Sequence, residues 1–365
     1  MEQISPANNS RNYGIDLLRV LLSIMVIILH LLLYGGVQDA SVPFTMSYQL
    51  LWLLGFAADC AVNCFALISG FVSYGRKLRL TNLLRMHLTV VFYGIVITWS
   101  ILFFMPQAVN FNDRLRALFP ATMGTYWYYT CYVILFFLTP LLNGAMKRLS
   151  KAQANGVIIL MGVLFSLVPS LTGKDFFSIN NGFSLPWLAL LYFIGAYLKK
   201  YYDDLCHRKT ALLMTYLGCT GITWGLKFLL EAWSATTRGE IMDTSGLVSY
   251  SFPTILFSAI ALVLLFSTLE VPAWKMKALS ILAPLSFSVY IIHEQPLIRQ
   301  LVIFHSLLFV TELPALMQPV IVILAAVLIW LVCSGLDWLR QRLFVYLHIE
   351  QLLRRLDGKP QPCKK

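Results

Sequence analysis

The sequence is poor in charge and has no long polar stretch. Only 12% of its 365 residues are charged, whereas 58% are hydrophobic, and the mean hydropathy is +0.72. An ordinary soluble domain could not bury so many apolar side chains. The polar segments are also too short to fold around cores of their own. This composition argues against a soluble enzyme and predicts a membrane protein.

Other familiar patterns are missing as well. The seven cysteines fall mostly within apolar runs and form no metal-binding spacing with the six histidines, so we expect no metal site. No internal repeat of the kind that many transporters carry is evident. Residues 1–12 carry little charge and no small-residue cleavage site follows them, so we interpret the first apolar run as a retained helix rather than a signal peptide.

Apolar runs long enough to cross a bilayer recur along the chain. The predicted spans are 14–34, 50–74, 84–105, 125–145, 155–171, 185–199, 211–231, 250–269, 281–303 and 315–337. With the N-terminus inside, 21 of the 28 basic residues fall in inner segments, as expected for cytoplasmic loops. We therefore predict an all-α polytopic membrane bundle of about ten helices with both termini cytoplasmic. The net charge of +11 then reflects the orientation of the chain in the membrane, and no nucleic-acid partner is expected.

The chain is predicted to form one transmembrane domain, residues 1–338, followed by a cytoplasmic tail, residues 339–365. Apolar and basic residues share the stretch 337–355 in a pattern typical of an amphipathic helix. We expect this stretch to lie on the inner leaflet.

The first span carries three ionisable side chains, which are costly within a bilayer and are usually held there by a partner or a function. Arg19 and His30 are eleven residues apart, so a helix places them on nearly the same face and about 16 Å apart along its axis. Asp16 lies one turn before Arg19 and can pair with it. The pattern predicts an arginine and an imidazole that face one groove.

The ninth predicted span, 281–303, is unusually polar and contains a proline. Lipid could not satisfy these groups, so the segment is expected to face the bundle interior, beside water or substrate. His293 lies at a depth comparable to that of His30, and imidazole can take and return a proton near neutral pH. The polar side chains of the span include Ser286, Ser288, Tyr290, His293, Glu294, Gln295 and Arg299.

Five further positions each allow a structural and a functional interpretation. Asp59 and Asn63 share a helical face and either support close helix packing or shape a cavity. Arg85 lies in a basic cluster that contacts lipid headgroups or binds a phosphate-rich cytosolic ligand. Tyr126 and Trp127 belong to an aromatic belt or to a platform for sugar rings.

Several of these segments resemble the acyltransferase 3 family of integral membrane proteins. Arg19 and His30, separated by ten residues, resemble its R-x10-H signature. The stretches 65–71 and 284–293 resemble its second-helix and late-helix motifs. The similarity extends from Tyr13 to about Trp338. There are two departures from the usual pattern: relatives commonly continue with Leu-Tyr-Pro after the arginine at position 85, and they often have histidine at position 126.

The resemblance implies transfer of an acyl group, most often acetyl, from cytosolic acetyl-CoA to a hydroxyl of a cell-envelope glycan or its lipid-linked precursor. The expected partners are therefore acyl-CoA, such a glycan and membrane lipids, with no metal cofactor, and the expected location is a bacterial plasma membrane. Arg19 and His30 would be the essential pair, with His293 in support. The residues expected to contact substrate are Asp16, Asp59, Asn63, Arg85, Tyr126, Trp127, Tyr290, Glu294 and Arg299.

In the expected mechanism, His30 acts as general base on the acceptor hydroxyl or, as an alternative, accepts the acyl group itself. Arg19 orients the donor and lends positive potential to the oxyanion. His293 and Glu294 relay the proton or stabilise that oxyanion. A competing interpretation is a proton-coupled transporter or a flippase of envelope precursors, since ionisable residues within ten spans also suit transport.

Overall fold

The computed structural model describes residues 11–205 and 208–356, and within these ranges the chain forms helices and no strand. The helices are α1 Tyr13–Tyr34, α2 Met46–Asp59, α3 Ala61–Ser73, α4 Leu80–Phe104, α5 Phe111–Leu118, α6 Trp127–Arg148, α7 Lys151–Gly162, α8 Val168–Thr172, α9 Leu185–Lys200, α10 Lys209–Arg238, α11 Pro253–Ser267, α12 Ala273–Leu282, α13 Ser286–His293, α14 Pro296–Ile298, α15 Met317–Tyr346 and α16 Ile349–Leu356.

Seven helical segments are long and apolar enough to cross a membrane. They are Tyr13–Tyr34, Met46–Ser73, Leu80–Phe104, Trp127–Arg148, Lys151–Thr172, Ala273–His293 and Met317–Tyr346. The other three predicted spans are also helical: α9 and α11 have 16 and 15 residues, and α10 has 30. The prediction of a polytopic helical membrane protein is confirmed. The number of spans and the side on which the termini lie stay predictions.

The predicted amphipathic helix over 337–355 is divided in the structure. Its first part continues α15 as far as Tyr346, and α16 follows after a turn in which His348 adopts a left-handed conformation (φ 57°). The predicted boundary at residue 338 therefore lies within a helix. Residues 357–365 of the tail lie outside the described residues.

The short helix α9 lies at the centre of the bundle. Its Ser184 side chain caps the first turn, accepting from the backbone N–H of Trp187, and most of its residues are buried. Glycines bring it against α3: a Cβ on Gly70 would lie 1.9 Å from the Tyr192 carbonyl oxygen, and one on Gly195 would lie 2.0 Å from that of Leu67. The Ile-Ser-Gly-Phe segment of α3 thus serves close helix packing.

A buried polar cluster joins α2 and α10. Lys227 forms an ion pair with Glu231 and donates to the Thr244 hydroxyl at 2.8 Å. The Tyr48 hydroxyl donates to the same carboxylate at 2.9 Å, and the Lys227 ammonium lies 3.8 Å from the centre of the Trp52 ring. This network explains how two charges can remain within an apolar bundle.

Candidate functional site

The first turns of α1 fix the position of Arg19. The Asn12 side chain caps the helix by accepting from the Ile15 N–H at 3.0 Å. The buried Asp16 carboxylate accepts from Arg19 at 3.0 Å and also pairs with Arg11. Asp16 therefore has two cationic partners, and it orients the guanidinium as the spacing predicted.

His30 lies on the same face of α1, near the end of the helix. Its Nδ1 is 2.9 Å from Nε2 of His293 and 3.2 Å from Oε2 of Glu294. His293 is almost fully buried, at 1% exposure. Three predicted site residues from the first and ninth spans therefore converge on one point.

The ninth predicted span is interrupted at this point. Helix α13 ends at His293, and Gln295 caps the short turn that follows by accepting from the N–H groups of Leu297 and Ile298 at 2.7 and 3.0 Å. Pro296 has no N–H to donate, so the interruption leaves one fewer backbone donor to satisfy. Glu294 lies in the interruption itself.

The hydrogen bonds assign the protons on the two imidazoles. His293 Nδ1 lies 2.5 Å from the Val289 carbonyl oxygen, which can only accept, so this nitrogen carries the proton. Nε2 of a neutral His293 must then accept, and His30 Nδ1 donates to it. The remaining nitrogen of His30, Nε2, is left with a free lone pair.

Glu294 is held by a second ion pair on its other oxygen. Arg299 donates to Glu294 Oε1 at 2.6 Å, and its guanidinium lies 4.9 Å from the centre of the Tyr34 ring. Oε2 is buried and makes no hydrogen bond to any residue in the described ranges, although it lies close to His30. Arg299 thus fixes a carboxylate oxygen beside the imidazole pair.

A cavity of about 300 Å³ joins Arg19 to His30. The two residues are eleven positions apart on α1, or about 16 Å of helix rise, and both line the same cavity. Six aromatic side chains also line it: Phe65, Trp127, Tyr128, Tyr250, Phe287 and Tyr290. A long, thin, largely apolar group fits this shape better than a compact polar one.

The start of α6 brings Trp127 to this cavity and places Tyr126 beside α13. After α4, helix α5 packs back against it, where Ala117 lies close to Gly94. The following Tyr126 donates to the Ile291 carbonyl at 3.1 Å, and Trp127 lines the cavity. Of the two, Trp127 is placed to contact a ligand, whereas the Tyr126 hydroxyl already has a partner within the protein.

Asn63 and Asp59 lie behind the cavity wall. Asn63 accepts from the Trp187 indole at 3.0 Å and donates to the Tyr250 carbonyl at 2.7 Å, which fixes the position of the Tyr250 ring beside the cavity. Asp59 is buried one turn earlier, at 3% exposure. The structure thus favours a structural role for Asn63.

Arg85 lies away from these residues, near the start of α4, and does not line the cavity. The residue is half-buried, and its guanidinium donates to Asn82 at 3.4 Å. Three exposed basic residues precede it on the loop before α4: Arg76, Lys77 and Arg79. A ligand that contacted Arg85 would therefore approach from the end of the bundle.

Two contacts of the site are not anticipated from the sequence. Tyr250, at the start of a predicted span, lines the cavity, and Tyr34, at the end of another, packs against the His30 ring and the Arg299 guanidinium. Neither position carries a local signal, because its importance comes from a partner distant in the chain. The Nδ1 atom of His87, in the first half of α4, lies 2.5 Å from the Tyr129 hydroxyl.

Fold and site together define a helical membrane protein with ionisable side chains around an internal cavity. The sequence profile of the acyltransferase 3 family, described as an acyltransferase domain, matches residues 12–336. The match covers most of the chain, so the protein belongs to this family and is a membrane acyltransferase. Comparisons with curated proteins and with solved structures gave no match.

Proposed function

We propose that this acyltransferase moves an acyl group, most often acetyl, from cytosolic acyl-CoA to a hydroxyl of a cell-envelope polysaccharide or lipid-linked glycan. The observation that carries the proposal is the single cavity shared by Arg19 and His30. It offers a protein-lined path between a cation at one level of the bundle and an imidazole about 16 Å further along the same helix. A multi-pass protein of the bacterial plasma membrane suits this reaction, because the donor and the acceptor are on opposite sides of that membrane.

The donor would occupy the cavity from the Arg19 end. The pantetheine arm of CoA is long, thin and only modestly polar, as the cavity is. Its phosphates would remain outside, near the exposed loop before α4 and near Arg85, where arginine provides bidentate hydrogen bonds. Arg19, oriented by Asp16, would contact the arm as it passes.

His30 would act as the general base. Its Nε2 takes the proton of the acceptor hydroxyl while the hydroxyl oxygen attacks the thioester carbonyl carbon. The tetrahedral intermediate then collapses: the C–S bond breaks, the new ester C–O bond remains, and the CoA thiolate receives the proton from His30. No other reactant is consumed, and His30 returns to its neutral form.

His293 and Glu294 would assist His30 from behind. His293 Nε2 accepts from His30 Nδ1 and so keeps the other nitrogen unprotonated and ready to act as a base. When His30 becomes positively charged, the Glu294 carboxylate 3.2 Å from Nδ1 stabilises that charge. Because both nitrogens of His293 already have partners, this residue is better suited to positioning than to contact with the oxyanion.

Distance limits what Arg19 can do. Its backbone lies about 16 Å along the helix from that of His30, and helical side chains lean toward the N-terminus, away from His30. A guanidinium there cannot contact an acyl carbonyl beside the imidazole. We therefore assign Arg19 to binding and orienting the donor rather than to direct stabilisation of the oxyanion.

The acceptor would approach the other end of the cavity, near His30. Trp127, Tyr250 and Tyr290 offer apolar faces against which sugar rings can pack. Arg299, 38% exposed at its side chain, provides a donor beside the same end. Asp59 would contact the acceptor only if the acceptor reached past the Tyr250 ring, which forms part of the cavity wall.

The test is the rate at which purified protein in nanodiscs transfers label from radioactive acetyl-CoA to envelope glycan. We expect His30→Ala and Arg19→Ala to abolish or severely reduce transfer, and Arg19→Lys to be impaired if the planar guanidinium matters. His348→Ala, in an exposed turn, is the matched control. Normal transfer by correctly inserted His30→Ala protein would refute the scheme, and glycan movement without consumption of acetyl-CoA would favour transport.

A further inference from the structure

A second property of the His30 site follows from how its three side chains converge. One ring nitrogen of His30, one of His293 and a Glu294 carboxylate oxygen all lie within 4.8 Å of one another. Two imidazoles and one carboxylate are a frequent ligand set for zinc, with a fourth position left open to solvent or substrate. We propose that this trio is a zinc site and that zinc bound there inhibits the acyltransferase.

The distances suit zinc with little movement. Zn–N bonds of about 2.0–2.1 Å in tetrahedral geometry place two ligand atoms about 3.3 Å apart. The observed separations from His30 Nδ1 are 2.9 Å to His293 Nε2 and 3.2 Å to Glu294 Oε2. These two separations need a shift of only a few tenths of an ångström, and the third, between the His293 and Glu294 ligand atoms, is at most 4.8 Å and closes by side-chain rotation.

The surroundings also resemble those of metal ligands. Metal-binding histidines usually donate their other N–H to a carbonyl or carboxylate, and His293 Nδ1 does so to Val289. Glu294 is held by Arg299 through one oxygen, while the other oxygen is buried and lacks a hydrogen bond to described residues. An acceptor in that condition is satisfied by an incoming cation.

Nitrogen ligands select the class of ion. Mg²⁺ and Ca²⁺ prefer all-oxygen sites, whereas imidazole suits Zn²⁺ and its neighbours in the first transition row. The cavity that His30 lines provides a route for the ion and room for a water at the fourth position. The expected ligand is thus Zn²⁺, and Mg²⁺ serves as a negative control.

Inhibition follows from the proton assignment and rests on the proposed function. Zinc needs the lone pair of His30 Nδ1, the atom that otherwise donates its proton to His293. Binding therefore moves the proton of neutral His30 to Nε2, the nitrogen assigned to the acceptor hydroxyl. An imidazole with that nitrogen protonated cannot serve as the base.

The experiment uses full-length protein in nanodiscs, purified with an affinity tag that contains no histidine. Protein is treated with a chelator, exposed to ZnCl₂ or MgCl₂, desalted and analysed for metal per chain by mass spectrometry. We expect about one retained zinc and no magnesium. His293→Ala and Glu294→Gln should lose the zinc, whereas His87→Ala, which removes a partly buried histidine outside the trio, should retain it.

Activity measurements separate this inference from the proposed function. Excess Zn²⁺ should slow label transfer from acetyl-CoA at least tenfold, and the chelator should restore the rate. Failure of wild-type protein to retain zinc, or equal retention by His293→Ala, would overturn the site. If the chelated protein is inactive and zinc restores it, inhibition is refuted and so is His30 as base. If zinc binds but no transfer occurs under any condition, the site stands and the proposed function fails.

Discussion

Replacing His293 tests whether the imidazole pair acts as described. Its Nε2 accepts the Nδ1 proton of His30 at 2.9 Å, and this bond strengthens when His30 takes up the acceptor proton. Hydrogen bonds to charged groups contribute about 1.5–3 kcal/mol. Neutral hydrogen bonds contribute about 0.5–1.5 kcal/mol, and the reactant state already has the neutral bond, so its loss raises the barrier by the difference, about 1–1.5 kcal/mol. At 1.36 kcal/mol per factor of ten, the chemical step slows roughly 5- to 13-fold.

The comparison of His293→Leu with His293→Gln isolates that hydrogen bond. Leucine fills much of the space but cannot accept, so we expect the full loss in kcat. Glutamine offers an amide oxygen at a similar distance from the backbone, so it should recover a large part of the rate. Because His293 does not line the cavity, KM for acetyl-CoA should change little in either variant.

The assay is label transfer by purified protein at saturating acetyl-CoA, with His348→Gln as a matched control for the substitution itself. Size-exclusion profiles verify that each variant is folded. Wild-type kcat in His293→Leu would refute the positioning role. Equal losses in the leucine and glutamine variants would show that the hydrogen-bond acceptor is not what His293 supplies.

Two further predictions concern the scaffold and are measured by thermal unfolding in detergent. Gly70→Ala should lower the unfolding temperature or prevent assembly, because the added Cβ would lie 1.9 Å from the Tyr192 carbonyl oxygen. The control is Gly144→Ala, whose Cβ meets nothing within 4 Å and which should be neutral or slightly stabilising. Equal unfolding temperatures for the two variants would contradict the close packing of α3 against α9. Lys227→Met should cost about 3–5 kcal/mol by leaving Glu231 without its ion-pair partner. Adding Glu231→Gln should recover much of that loss, and no recovery would show that the charge is not the cause.

The part of the site carried by α1 could be predicted because one regular helix fixes it. The period of the helix determines which face Arg19 and His30 share, and Asp16 is within one turn. That much follows from numbers of residues alone. The structure places Arg19 and His30 in one cavity and pairs Asp16 with Arg19, as expected.

The remaining contacts could not be predicted because they depend on tertiary packing. Asn63 shows the difficulty: its amide suits a ligand or a structural bond equally well, and only the positions of Trp187 and Tyr250 decide between them. Arg85 belongs to a clear basic cluster, but whether it reaches the cavity depends on where α4 lies. A single sequence does not give the positions of Trp187 and Tyr250 relative to Asn63, or the position of α4 relative to the cavity.

The interruption after α13 explains how the consecutive residues His293 and Glu294 can both contact His30. In a continuous helix, neighbouring side chains point about 100° apart, so His293 and Glu294 could not both face one imidazole. Here the helix ends at His293, and the backbone of Glu294 turns away from helical geometry (φ −90°, ψ 2°). Both side chains then come within 3.2 Å of His30 Nδ1.

An interrupted helix within a membrane must satisfy the backbone groups it exposes, because lipid offers them no partner. Gln295 meets part of that need: its Oε1 accepts from two N–H groups of the next turn, while its Nε2 donates to Thr98 at 3.3 Å. Gln295 therefore fixes the chain between Glu294 and Arg299 without touching His30. The geometry at the imidazole depends on this capping amide as much as on the residues that contact it, since a straight ninth span would direct Glu294 away from His30.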